Sequence, residues 1–105
     1  MPMPDLYDDR EVEAIATAYA DISNILRVVI VYDYLLGNRI SENGMSKNKN
    51  KLLIKLSEYN KLVEMYKFLP ERAKDCQFLR NAKSKLDEKV LEVTAKYDLV
   101  SAISA

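Results

Sequence analysis

Histidine and tryptophan are absent from this 105-residue chain, which carries one cysteine, two glycines and three prolines. Without histidine there is no imidazole to act as general base, to ligate a metal or to activate a serine or cysteine nucleophile. The lone Cys76 excludes an intrachain disulfide and a structural zinc site within one chain, and it reads as an inert core residue. Gly37 and Gly44 are too few to build a phosphate-cradling loop. Sparse glycine and proline also disfavour sandwiches and barrels, which need a turn about every 8–12 residues. The expectation is a non-enzyme with no catalytic residues, no cofactor and no metal.

What is present is an ordinary globular composition, 49% hydrophobic and 30% charged. A chain of this length makes one domain with one core. Met1 to Arg10 is acidic and has no apolar run, so no secretion leader is expected there. With the single cysteine, this points to the cytoplasm.

The most apolar stretch is Ile25 to Leu36, ILRVVIVYDYLL, broken only by Arg27 and Asp33. Val12, Ile15, Tyr19, Ile22, Leu26, Val29, Asp33 and Leu36 recur at alternating three- and four-residue steps, the spacing of a helix packed along one seam. Ile25, Val28, Val29, Ile30 and Val31 are β-branched and favour a strand, but the helical period runs into the stretch with no turn signal before it. A membrane span is disfavoured, because the run is shorter than the roughly 20 apolar residues a span needs and contains two charges.

The outward positions of this helix are Glu13, Thr17, Ala20, Asn24 and Arg27 in its first half, but Val31 and Tyr34 in its second. An apolar outward arc marks an interface, and the set Val31, Tyr32, Asp33, Tyr34 and Leu35 is the candidate partner surface. Asp33, the one charge on the seam, needs a tyrosine hydroxyl or a basic side chain from another helix or subunit. Its replacement by leucine is expected to alter association more than stability.

Along the chain, residues 1–7 read as a loose lead and 8–36 as the first helix, capped at Asp8 or Asp9 and closed by Gly37-Asn38 in a left-handed conformation. Residues 37–50 hold both glycines and four asparagines and read as a loop. A second helix over 51–69 has its seam at Leu52, Leu56, Tyr59, Val63 and Tyr66. Pro70 opens a third over 70–101, with Cys76, Leu79, Leu86, Val90, Val93, Tyr97 and Val100 on one face and Ala82 turned inward beside Lys83. The expected fold is all-α, an elongated antiparallel three-helix bundle that self-associates.

The total charge of zero is unevenly spread. Residues 1–36 hold seven acids against Arg10 and Arg27, a net −5, while 37–69 hold seven bases against three acids, a net +4. Lys47, Lys49, Lys51 and Lys55 have a spacing suited to phosphate contacts, so nucleic-acid binding through this segment is the alternative function. Acidic pairs for a metal-dependent hydrolase are not in register: Glu88 and Glu92 lie one turn apart, but Glu58 and Glu64 fall on different faces. The leading expectation is a protein-binding helical module of adaptor, chaperone or inhibitor type, acting as a homo-oligomer with a further protein partner.

Overall fold

The computed structural model describes residues 6–38 and 42–103. The described chain is all-helical, with no strand. Its elements are α1 (Asp9–Gly37), α2 (Glu42–Tyr66), the single turn α3 (Glu71–Lys74), α4 (Gln77–Lys96) and a 3-10 turn at Val100–Ala102. Ile25 to Leu36 is therefore helix, and the β-branched side chains yield to a backbone ladder already nucleated upstream.

That nucleus is set locally. The Glu11 amide donates to Asp8 Oδ1 at 2.8 Å and the Asp8 amide donates to Glu11 Oε1 at 2.9 Å, a reciprocal cap worth about 1 kcal/mol. At the other end neither Gly37 nor Asn38 is left-handed. Asn38 stays right-handed, with φ −96°, and its side-chain Nδ2 donates to the Tyr34 carbonyl at 2.7 Å.

α1 lies between α2 and α4 and packs on both. Asp21 and Leu62 line one groove, and so do Ala14 and Leu69, so α1 and α2 run in opposite directions. Tyr19 stacks on Phe78 and Asp33 bonds Lys89, so α1 and α4 run the same way. Between α2 and α4, Tyr59 Oη donates to Asp87 at 2.7 Å, and the Lys83 ammonium sits 5.2 Å from the centre of the Tyr66 ring. The core joins Ala18, Ile22, Ile25, Val29 and Leu36 to Leu52, Leu56 and Leu62, and to Cys76, Leu79, Leu86, Val90 and Val93. The molecule measures 59 × 23 × 18 Å.

Several further expectations are corrected. The inward row of α1 is Glu11, Ala18, Ile22, Ile25, Val29 and Leu36, whereas Val12 and Tyr19 stay exposed. The helix is thus rotated toward α2, where Ala18 permits close approach. Residues 42–50 are helix and not loop, because extending an existing helix gains one hydrogen bond per residue while each asparagine costs only about half a kcal/mol. Of the loop expected over 37–50, residues 39–41 lie outside the described residues. α2 stops at Tyr66 and not at 69, since its last turns tighten to three-residue bonds (Phe68 N–H to Met65 O, 3.0 Å) ahead of Pro70, which disfavours helix in the residue before it.

The third helix over 70–101 is divided. Cys76 takes an extended backbone, φ −62° and ψ 115°, which separates α3 from α4 and lets Ala73, Cys76 and Leu79 all be buried. α4 then closes without glycine or proline: Asp98 adopts φ 58°, and the Leu99 amide donates to the Thr94 carbonyl at 2.7 Å. This is a Schellman closure with aspartate in the left-handed place. It buries Leu99 and leaves Val100 exposed, the reverse of the expected face.

Candidate functional site: the surfaces of the first helix

By length and composition α1 could cross a membrane, with a mean hydropathy of 1.5 over its most apolar window. In the fold its apolar side chains divide between a buried row and an outward arc. Ile30 is 47% exposed, Val31 49% and Tyr34, one turn further on the same face, 60%. Tyr32 and Leu35 are half-buried, Tyr32 packing against the core. Of the five expected interface residues, Val31 and Tyr34 therefore lie on the arc, joined by Ile30.

Asp33 turns away from that arc into α4. Its Oδ2 accepts from Lys89 Nζ at 2.9 Å, and its Oδ1 accepts from Lys96 Nζ and Tyr97 Oη, each at 2.9 Å. The Asp33 side chain is 12% exposed. Burial alone would raise its pKa, but the hydrogen bonds from Lys89, Lys96 and Tyr97 outweigh burial and hold the carboxyl at about 2. Conversely, burial and the bond to Asp33 push the Tyr97 hydroxyl up to about 12. Lys89 is raised by its bonds to Glu92 and Asp33. With every partner in the same chain, Asp33 is a structural ion centre, and the expected effect of replacing it moves from association to stability.

Along the first half of α1 a groove opens against α2. A cavity of about 590 Å³ is lined by Ala14, Thr17, Ala18, Leu62, Tyr66 and Leu69, with Asp9, Glu13 and Asp21 along its α1 edge. A second cavity of about 190 Å³ shares Asp21, Leu62 and Met65 with it, and continues the groove to Ile25 and Glu58. Asp9, Glu13 and Asp21 are exposed and make no ion pair among the described residues. Their buried neighbour Glu11 is held instead by Arg72, whose Nη1 donates to it at 3.3 Å. A signal for this site was present in the sequence, since Asp9, Glu13, Thr17 and Asp21 recur at four-residue steps.

The lysines expected to contact nucleic acid sit on α2. Lys47 and Lys51 are exposed and one helical turn apart, Lys49 is exposed on another face, and Lys55 bonds Glu58 at 2.9 Å. Of the acidic pairs, Glu58 bonds Lys55 at 2.9 Å, Glu64 bonds Lys67 at 3.1 Å and Glu92 bonds Lys89 at 2.7 Å. Among the described residues no group of three or more potential metal ligands occurs. No protein-family model, curated protein or solved structure matches the chain.

Proposed function

We propose that this chain is an elongated antiparallel three-helix bundle that works in the cytoplasm by binding protein, through self-association and a partner surface, in the manner of an adaptor, chaperone or inhibitor and without catalysis. The observation that carries this reading is the arc of Ile30, Val31 and Tyr34, three large apolar side chains about half exposed on one helix face. At about 25 cal/mol per Å², leaving them in water forgoes on the order of 2–4 kcal/mol that an interface would recover. The simplest cover is the same arc on a second copy, related by a two-fold axis.

Light scattering at micromolar concentration tests the reading. The wild type is a dimer, and Val31→Lys with Tyr34→Lys is a monomer that keeps its helical circular dichroism. A monomeric wild type overturns self-association. A double variant that unfolds would place both residues in the core and overturn the arc itself.

The second reading, nucleic-acid association, draws on the exposed pair Lys47 and Lys51. It requires binding to duplex DNA that weakens steeply with salt and is lost in Lys47→Glu with Lys51→Glu.

A further inference from the structure

We infer that the acid-edged groove between α1 and α2 takes a basic amphipathic helix of a partner protein. This rests on the protein-binding reading above but not on self-association, which uses the other half of α1. The groove follows α1 from Asp9 to Ile25, about 24 Å at helical rise, a match for a helix of four to five turns.

Three features select the occupant. The groove walls are two helices whose main-chain groups are engaged internally, so they offer side-chain contacts and no free backbone ladder. A segment entering such a groove must satisfy its own backbone, which a helix does and an extended peptide does not. The α1 side is small, with half-buried Ala14 and buried Ala18 in the floor and exposed Thr17 at the rim, and the α2 side is large and apolar (Leu62, Tyr66, Leu69), with Met65 62% exposed as an adaptable contact. The α1 edge carries Asp9, Glu13 and Asp21 in one row, and among the described residues these acids make no ion pair and the cations lining the groove are Arg10 and Lys61. That edge attracts lysine or arginine flanking the apolar face of the incoming helix and repels carboxylates. A second copy of this chain is a poor occupant, because its lysine-rich helix α2 already buries Leu52, Leu56 and Leu62 in its own core.

The test uses the full chain and a fluorescein-labelled synthetic peptide of about 16 residues, with leucines at helical a and d spacing and lysines elsewhere, read by anisotropy. A second peptide carries glutamates in place of the lysines. The lysine peptide binds saturably at one per chain, and the glutamate peptide binds about tenfold more weakly or worse. Glu13→Lys with Asp21→Lys inverts that preference, and Thr17→Trp, which fills the groove from an exposed position, abolishes binding of the lysine peptide while the helical spectrum is unchanged. Equal binding of the two peptides overturns the inference, as does lysine-peptide binding that survives Thr17→Trp. A wild-type oligomer that dissociates on Thr17→Trp also overturns it, by giving the groove to a second copy. A monomeric wild type that still prefers the lysine peptide removes self-association and leaves the groove, whereas a dimer that shows no preference does the reverse.

Discussion

The two halves of α1 carry their charge on opposite sides. From Asp9 to Arg27 the outward face bears Glu13, Thr17, Asn24 and Arg27, and the row toward α2 closes on Ala18. From Val28 to Gly37 the outward face bears Ile30, Val31 and Tyr34, while the carboxylate of Asp33 lies inside against α4. Each half has one enclosed acid tied to a distant base: Glu11 to Arg72 in the first, Asp33 to Lys89 and Lys96 in the second. A helix that was merely amphipathic would keep one polarity throughout. The second half is anchored by Val29 and Leu36 in the core and by Asp33 against α4, so its apolar arc faces outward.

The sharpest way to break this contrast is Asp33→Asn, which leaves Lys89 and Lys96 without their shared carboxylate and is expected to cost about 2–3 kcal/mol at neutral pH, measured by urea unfolding. Acid should reach the same centre in the wild type. With a folded pKa near 2 against an ordinary value of 3.8, the contribution of Asp33 is complete above pH 4 and is lost as pH falls through 2. About 2 kcal/mol of stability should disappear over that window, and Asp33→Asn should flatten this part of the profile. A profile unchanged by the substitution would show that Asp33 is not the group responsible.

In the first half, Glu11→Ala removes the side-chain half of the reciprocal cap, the bond from the Asp8 amide, together with the Arg72 bond, and is expected to cost about 1–2 kcal/mol. The loss should be smaller than for Asp33→Asn, and a larger one would reverse the ranking of the two centres. Smaller still is Tyr66→Phe. The Tyr66 hydroxyl is buried with no hydrogen-bond partner among the described residues, and burial raises its pKa, so deleting it should be neutral or stabilise by up to about 1 kcal/mol. Asp98→Gly relieves a left-handed residue and should raise the melting temperature slightly, by about 0.5–1 kcal/mol in stability.

Much of this was legible in the residues. Asp8 followed three residues later by Glu11 is a cap signature, and the steps through Leu52 and Leu56 and through Leu86, Val90 and Val93 named buried side chains directly. The outward positions of α1, including Val31 and Tyr34, also follow from helical spacing alone. The groove was harder to see, because its acids read equally well as helix-start and solvated charges until Leu62, Met65 and Leu69 are placed across from them.

By itself, then, the sequence determined the helical class, the start of α1, most of the core of α2 and α4, and the apolar arc, since each depends on spacing within one helix or on a cap three residues long. Only the tertiary structure decided which flank of α1 is buried. The same three- and four-residue steps describe two neighbouring stripes, and contact with α2 selected Ala18 and Ile25 over Tyr19 and Leu26. The division between α3 and α4 was decided in the same way, by burial of Ala73, Cys76 and Leu79 with no local breaker between them. The partners of Asp33 lie 56, 63 and 64 residues away in the chain, a separation across which only the packed helices can fix a bond of 2.9 Å.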